Sequence, residues 1–159
     1  MDLTRHKNNI INIIDNNKLI TNILQSICIY LKNEIPYYDW VGFYFKNGDK
    51  EELKLACFSG KPTEHVIIPF GKGICGQVAV SNKNFMVQDV TEHDNYISCG
   101  IEVKSEIVIP IFVNGDNIGQ IDIDSHSKKP FTEKDMELLE FICKQVSNLD
   151  VLKIVNKQL

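Results

Sequence analysis

The sequence predicts an α+β fold in which a mainly antiparallel sheet of about six strands carries the N- and C-terminal helices on one face. Two observations lead to this prediction. Asn-Gly pairs at residues 47–48 and 114–115 each lie between β-prone segments, and this dipeptide is a strong signal for a hairpin turn. Apolar residues recur at helical spacing near both ends of the chain. Loops on the other face of the sheet would then build a functional site.

The N-terminal region, residues 8–35, is predicted to be helical. Its apolar residues follow a helical period: Ile20, Ile23, Leu24, Ile27, Tyr30 and Leu31. The pattern fits one long helix, or two helices with a break near Asn16 and Asn17. Pro36 ends the helical region.

Strands alternate with turns through the middle of the chain. Aromatic and β-branched residues, together with turn signals, predict strands at 40–46, 52–59, 65–69, 84–90, 105–113 and 117–125. The glycine-containing segment 70–82 is predicted to turn into a short helix between the third and fourth strands. The loop 91–104 joins the fourth strand to the fifth.

The C-terminal segment is predicted to be a helix that begins after Thr132. Threonine is a good N-cap, and Asp135, three residues later, makes an acidic near-match to a capping box. The apolar residues beyond it keep helical spacing: Leu138, Leu139, Ile142, Cys143, Val146 and Leu149.

Composition limits the class of protein. The chain has 159 residues, of which 43% are hydrophobic and 24% charged, and its net charge is −4. These values predict a single globular domain over residues 1–159. Scattered Lys and Arg residues argue against nucleic-acid binding. No apolar run approaches a membrane span, and the first residues lack the apolar core of a signal peptide, so a cytoplasmic protein is expected.

The five cysteines are an odd number and contain no C-x-x-C pair, which argues against structural disulfides and a structural zinc site. Cys28, Cys57 and Cys143 lie on apolar faces and are expected in the core. Cys75 and Cys99 lie beside glycines in loop-like stretches. They are either exposed, reactive thiols, with the pKa of Cys75 lowered by a helix N-terminus, or ordinary small hydrophobic residues.

Three acidic residues are candidates for a common site. Asp122 and Asp124 share one face of a strand because the side-chain period of a strand is two. Glu106 lies on the strand that pairs with theirs. Such a cluster could bind a ligand ammonium group, and crowding would raise one carboxyl pKa, which leaves a proton to donate. The alternative is an ordinary exposed strand face.

Trp40, the single tryptophan, opens the first strand. Core packing is its default role, and the alternative is a wall for a cationic or methyl-bearing ligand. His65 and His93 have no partners at metal-ligand spacing. The segment 71–76 lacks the full phosphate-loop pattern. Neither a metal nor a cofactor is therefore expected.

In this order, the strings WVGFYF, IPFGKGICGQVA, ISC, SEIVIPI, IGQIDIDS and FTEKDMELLE resemble the free methionine-(R)-sulfoxide reductases, which are small GAF-domain proteins. The resemblance runs from Trp40 to the C-terminal helix. It implies reduction of free methionine (R)-sulfoxide through a cysteine sulfenic acid and an intramolecular disulfide, which thioredoxin reduces. It also implies a homodimer, since GAF domains often pair through their terminal helices.

The same resemblance assigns roles to individual residues. Cys99 corresponds to the attacking thiol and Cys75 to the resolving thiol. Glu106, Asp122 and Asp124 correspond to the carboxylates that hold the amino group and the sulfoxide oxygen, and Glu106 is the expected proton donor. Trp40 corresponds to the residue beside the substrate methyl group.

The sequence departs from the family pattern at two positions. His65 stands where many members have a third cysteine, and Gly100 follows the attacking cysteine where many have Asp. The first departure concerns how the enzyme is regenerated, and the second concerns the mobility of the loop. A GAF-domain sensor of a small ligand or of redox state, without catalysis, is the rival hypothesis.

Overall fold

The computed structural model describes residues 1–96, 100 and 102–157 of the chain. Its centre is a six-stranded sheet in the order β3-β2-β1-β6-β5-β4, and every pair of neighbouring strands is antiparallel. The strands are β1 Trp40–Lys46, β2 Glu52–Ser59, β3 Ile67–Pro69, β4 Phe85–Val87, β5 Ser105–Val113 and β6 Asp116–Ser125. The helices are α1 Leu3–Asp15, α2 Ile20–Glu34, α3 Gly73–Ser81, α4 Glu133–Ser147 and α5 Leu152–Val155.

The two faces of the sheet pack against different elements, as the alternation of side chains requires. Helices α1, α2 and α4 cover one face and form the main core, which includes Ile121 and Ile123 of β6. Helix α3 packs on the other face over a smaller apolar cluster that includes Trp40, Tyr44 and Cys75. The predicted α+β architecture is therefore confirmed, and the open face is the one that α3 and the loops line.

The N-terminal helical region is two helices, and the break falls after Asp15 at the predicted asparagines. The side-chain amides of Asn16 and Asn17 donate to the carbonyl oxygens of Asn12 and Ile13 at 2.8 and 2.7 Å. These bonds satisfy carbonyl groups that the helix end leaves without partners, so the chain can turn there at little cost.

Helix α4 begins at the predicted cap. The Thr132 hydroxyl accepts from the backbone of Lys134, and the Asp135 carboxylate accepts from the backbone N–H of Thr132 at 2.8 Å. Asp135 is fully buried and also accepts from the hydroxyl groups of Tyr37 and Tyr38 at 2.9 and 2.8 Å. The carboxylate therefore ties the end of α2 to the start of α4, a role that the capping pattern did not reveal.

Two predicted strands are shorter in the structure. The segment 84–90 forms a strand only over Phe85–Val87, and a 3-10 turn follows at Val90–Glu92. The Asp89 carboxylate accepts from the backbone and the hydroxyl of Thr91 at 3.1 and 2.7 Å, which turns the chain away from the sheet. The segment 65–69 pairs only over Ile67–Pro69.

The three cysteines expected in the core differ in how deeply they are buried. Cys28 and Cys143 are buried in the main core, whereas Cys57 is only half-buried at its margin. Across the part of the chain that the structure describes, none of the helices combines the length and the apolar character needed to cross a bilayer.

Candidate functional site

Three carboxyl groups meet on the open face of the sheet. Glu106 of β5 lies directly opposite Asp124 of β6, and Asp122 lies two residues earlier on the same face. Glu106, Asp124 and Asp122 are only 5%, 2% and 3% exposed, respectively. The alternative of an ordinary exposed strand face is therefore wrong, because α3 and the neighbouring loops cover these side chains.

Helix α3 brings a thiol onto this cluster. Cys75 lies in its first turn, and its sulfur donates to Asp122 Oδ2 at 3.3 Å and lies 3.8 Å from Glu106 Oε1. Gly76 lets the first turn of α3 pack closely against the end of β3, since a Cβ atom there would lie 2.7 Å from the Pro69 carbonyl oxygen. The sequence correctly placed Cys75 near a helix start, but the residue is buried rather than exposed.

Two carboxyl groups of the cluster hold their protons at a higher pH than ordinary carboxyl groups do. Burial raises the pKa of Glu106 well above its usual range, and the charges of Asp122 and Asp124 raise it further. Burial also raises the pKa of Asp122 to about 6, although hydrogen bonds from Glu106 and Cys75 oppose the shift. These pKa shifts indicate that Glu106 is protonated and donates a hydrogen bond to the Asp122 carboxylate.

The thiol of Cys75 is also held in its protonated form. Burial raises its pKa well above the usual range. The negative charge of Asp122 acts in the same direction, and Glu106 adds to it once it ionises. The expectation that a helix N-terminus lowers this pKa is wrong here. Desolvation and two carboxyl groups in contact with the thiol outweigh the partial charge of one helix end.

Cys75, Glu106 and Asp122 also carry groups that could bind a metal ion. One ligand atom each from Cys75, Glu106 and Asp122 lies within 4.8 Å of the others. Metal binding requires a thiolate and ionised carboxylates. Since burial raises all three pKa values, a divalent cation that binds here would have to displace these protons.

Trp40 forms a wall of the same face. Its ring stacks on Phe58 with centroids 5.7 Å apart, and its Nε1 donates to the Lys61 carbonyl oxygen at 3.1 Å. The indole is 7% exposed within an apolar cluster, as core packing predicts, and it also lines a cavity with Asp124. Its contact with a ligand stays a prediction. Gly42 makes room for the ring, since a Cβ there would lie 2.2 Å from Trp40 Cη2.

Replacing Gly42 with Ala is expected to displace the indole and to destabilise the fold by about 1–3 kcal/mol, the usual cost of overpacking. Trp40 is the only tryptophan, so its fluorescence reports the displacement directly. The emission maximum should shift to longer wavelength as the ring becomes more exposed.

Gly119→Ala is the matched control for this substitution. A Cβ at Gly119 would lie 2.5 Å from the Tyr44 carbonyl oxygen and 2.6 Å from the Phe45 ring, and Trp40 is not among its near neighbours. This variant should also lose stability but keep the emission maximum. An unshifted maximum in folded Gly42→Ala would show that the ring does not depend on this space.

Two small cavities flank the cluster. One, of about 60 Å³, lies among Trp40, Tyr44, Gly100 and Asp124, and the other, of about 20 Å³, lies beside Cys75. Tyr44 lines both, and its hydroxyl donates to the carbonyl oxygen of His65 at 2.7 Å. The sequence reading missed Tyr44, although a period of two from Trp40 through Gly42 would have placed it on the same face.

The position of His65 bears on the departure from the family pattern. His65 lines the smaller cavity together with Cys75, Glu106 and Asp122. The imidazole therefore stands at the margin of the buried cluster.

Cys99, the predicted attacking thiol, lies outside the described residues. Its covalent neighbour Gly100 lines the larger of the two cavities, with a φ of +136° that favours glycine. On the other side, Asn95 donates to the Gly71 carbonyl oxygen at 3.0 Å and accepts from the Gly73 N–H at 3.3 Å. Both flanking segments are thus attached to the walls of the site.

The sequence reading missed one further polar side chain. Gln120 is fully buried on β6, on the same face as Asp122 and opposite Tyr44. Neither its amide nitrogen nor its amide oxygen has a hydrogen-bond partner within the described part of the chain. It extends the polar surface of the strand beneath the cluster.

Known proteins share this fold and much of this sequence. The GAF domain family profile matches residues 15–149. The chain is 39% identical over 117 residues to the free methionine-R-sulfoxide reductase of Saccharomyces cerevisiae. That alignment covers 72% of this chain and 64% of the yeast protein, slightly less than two thirds of its length.

Two solved structures resemble the whole arrangement. The type II free methionine-R-sulfoxide reductase of Thermoplasma acidophilum is 38% identical, with a TM-score of 0.77 over 80% of this chain and 89% of that one. The fRMsr of Staphylococcus aureus, in complex with its substrate, is 34% identical, with a TM-score of 0.82 over 92% and 94%. The chain therefore belongs to the free methionine-R-sulfoxide reductase family of GAF-domain proteins.

Proposed function

We propose that this chain reduces free L-methionine (R)-sulfoxide to methionine. The observation that carries the proposal is the buried cluster in which Cys75 touches two carboxyl groups of raised pKa below the wall formed by Trp40. Sulfoxide reduction needs both a thiol and a proton at one place, and this face of the sheet supplies them. The family membership supports the same reaction.

The first step is an attack by the Cys99 thiolate on the sulfoxide sulfur. The attack forms an S–S bond, and the sulfoxide oxygen gains a proton as its bond to the substrate sulfur breaks. The hydroxyl group then bonds to the Cys99 sulfur as the S–S bond breaks, so methionine leaves and Cys99 remains as a sulfenic acid. The substrate sulfur gains the electron pair that the cysteine sulfur loses. Glu106 is the proton donor, because burial and its acidic neighbours keep it protonated at a pH where an ordinary glutamate is ionised.

Asp122 and Asp124 hold the substrate ammonium group. Asp122 Oδ1 is buried and has no hydrogen-bond partner among the described residues, so an accepting atom is available on the site face. The ammonium charge also offsets the negative charge that would otherwise disfavour a thiolate at Cys99. Trp40 contacts the methyl end of the substrate.

The second step is the resolution of the sulfenic acid by Cys75. The Cys75 sulfur attacks the Cys99 sulfur, the S–O bond breaks, and water leaves as the disulfide forms. Cys75 already donates its thiol proton to Asp122 at 3.3 Å, so Asp122 is placed to accept this proton and to pass it to the departing hydroxyl group, which leaves as water. Since His65 occupies the position of the third cysteine of other members, Cys75 is the sole partner assigned, and thioredoxin reduces the disulfide.

Three further features are proposed on the same basis. Residues 1–159 form one GAF domain, two copies associate through the terminal helices, and the protein works in the cytoplasm. Gly100, in place of the Asp of many members, adopts a φ of +136°, a backbone conformation that Asp rarely takes.

The proposed activity is tested with a mixture of the two methionine sulfoxide diastereomers and either dithiothreitol or a thioredoxin system. Loss of the R form alone is expected, and Cys99→Ser should abolish it because serine cannot supply the attacking thiolate. Cys143→Ser is the control, since that thiol is buried in the main core, where it donates to the Ile109 carbonyl oxygen at 3.6 Å. Chiral chromatography of the residual sulfoxide measures the result.

The rival hypothesis makes a different prediction for the same assay. A GAF-domain sensor would bind a small ligand and leave both diastereomers intact with either reductant. Turnover that survives in Cys99→Ser would instead retain the enzyme but remove the assignment of Cys99.

A further inference from the structure

A second pair of thiols lies on the opposite face of the sheet from the proposed site. Cys28 of α2 and Cys57 of β2 have their sulfur atoms 3.8 Å apart, although 29 positions separate them in the sequence. Both side chains belong to the main core or its margin, whereas Cys75 belongs to the cluster under α3. The sheet therefore separates this pair from Cys75.

The surroundings hold the two sulfurs together. Beside them, the Gln25 side-chain amide of α2 donates to the Phe58 carbonyl oxygen of β2 at 2.8 Å, which fixes the helix against the strand. A disulfide has an S–S length near 2.05 Å, so the sulfurs must approach by roughly 1.8 Å to bond. The pair is thus close enough for oxidation without separating the elements that carry it.

The two thiols differ in how accessible they are to a small molecule, and this difference decides which of them reacts first. Cys28 is fully buried, and burial raises its pKa well above the usual range. Cys57 is half-buried and lines a cavity of about 240 Å³ that it shares with Phe45, Leu55 and Lys54. A small oxidant in this cavity meets Cys57 first, since Cys28 is not among the residues that line it, and the Cys28 sulfur lies 3.8 Å from that of Cys57.

We propose that Cys28 and Cys57 form a second redox site, which takes two electron equivalents from the protein to a hydroperoxide independently of Cys75 and Cys99. The Cys57 sulfur attacks the peroxide, an S–O bond forms, the O–O bond breaks, and an alcohol or water leaves. The Cys28 sulfur then attacks the sulfenic acid. The S–S bond forms, the S–O bond breaks, and the Cys28 proton leaves with the hydroxyl group as water.

The product is a covalent link between α2 and β2. Two thiols are oxidised, one hydroperoxide is reduced, and the protein loses two hydrogen atoms. The link would leave the thiols of the open face free for the proposed reductase cycle. A chain that works on an oxidised substrate would then hold a separate thiol pair that responds to the oxidant itself.

The test uses the reduced, full-length protein, exposed to hydrogen peroxide, alkylated, digested with trypsin and analysed by mass spectrometry without reduction. Trypsin places each cysteine in its own peptide, since Lys or Arg residues separate all five. Disulfide-linked peptides 19–32 and 55–72 are expected, both in the wild type and in the double variant Cys75→Ser/Cys99→Ser. Recovery of Cys28 and Cys57 as alkylated thiols after denaturation would overturn the proposal.

The double variant also separates this inference from the proposed function. It removes the thiols of the reductase cycle, so a link that forms only when Cys75 and Cys99 are present would be thiol exchange from that site and would overturn the second redox site. Cys57→Ser must abolish the link, and Cys143→Ser must leave it intact. The primary result comes from the wild type, so it does not depend on the folding of any variant.

Discussion

Replacing Glu106 with Gln is expected to lower kcat for methionine (R)-sulfoxide by about 100-fold to 10,000-fold, the usual range for the loss of a general acid. Glutamine keeps the size and the hydrogen-bonding capacity of the side chain but cannot transfer a proton to the departing sulfoxide oxygen. Because Glu106 is buried beside two other carboxyl groups, its raised pKa is what keeps the proton available.

The pH dependence of the reaction provides a second reading of the same variant. In the wild type, kcat/KM should fall as the pH rises through the raised pKa of Glu106, because the donor loses its proton there. The Glu106→Gln variant should lack this basic limb. The comparison distinguishes a proton donor from a residue that only shapes the site.

Glu137→Gln serves as the control for the change from acid to amide. Glu137 is an exposed residue of α4 on the other face of the sheet, paired with Lys7 at 2.6 Å, and its loss should leave the kinetics unchanged. The assignment of Glu106 would be wrong if Glu106→Gln kept full turnover while Asp124→Asn lost it. The proton donor would then be sought at Asp124.

Replacing Asp122 with Asn is expected to make the folded protein more stable at neutral pH, by about 3 kcal/mol, while it weakens substrate binding. The pKa of Asp122 rises from an ordinary value of 3.8 to about 6 on folding. A shift of one unit corresponds to about 1.4 kcal/mol, which gives the expected magnitude. The site would then be a case in which function is retained at a cost in stability.

The sign follows from the proton balance. Between pH 3.8 and about 6, the unfolded chain has released the Asp122 proton while the folded protein still binds it. Unfolding releases a proton in this window, so the wild type loses stability as the pH rises through it. Below the window, the contribution of Asp122 is fully present. An asparagine side chain does not titrate, so the Asp122→Asn variant should lack this part of the decline and keep only the part due to Glu106, whose pKa burial also raises.

Urea unfolding followed from pH 4 to pH 7 measures both effects. Asp116→Asn is the matched control, because Asp116 is an exposed residue of the same strand, and its loss should leave the pH profile of the unfolding free energy unchanged. A parallel decline in the wild type and in the Asp122→Asn variant would contradict the raised pKa. In that case another group in the cluster holds the proton.

The sequence placed the strands well because the signals were local. Asn-Gly turns and β-prone runs located β1, β2 and β5 with the bounds that the structure has, and the capping pattern at Thr132 gave the start of α4. The shortened strand β4 escaped this reasoning, since the side-chain bonds of Asp89 end it and no periodicity reports them.

The site was predictable in part. A period of two placed Asp122 and Asp124 on one face, and the hairpin turn brought Glu106 opposite them. The contact of Cys75 with these acids depends on how α3 crosses the sheet, and the space for Trp40 depends on Gly42 beside it. Neither follows from the spacing of apolar residues, because each depends on how side chains and backbone pack in three dimensions.

The sequence by itself determined which groups are candidates for one site: two thiols beside glycines, three acids on paired strands, a tryptophan at a strand start and a family pattern that joins them. The tertiary structure alone decided their protonation and their partners. Burial under α3 raised the pKa of Glu106, so that this carboxyl group keeps its proton. The packing of α2 on β2 brought the sulfur of Cys28 to that of Cys57. Desolvation and contact arise only when distant segments pack together, so no local pattern could have reported them.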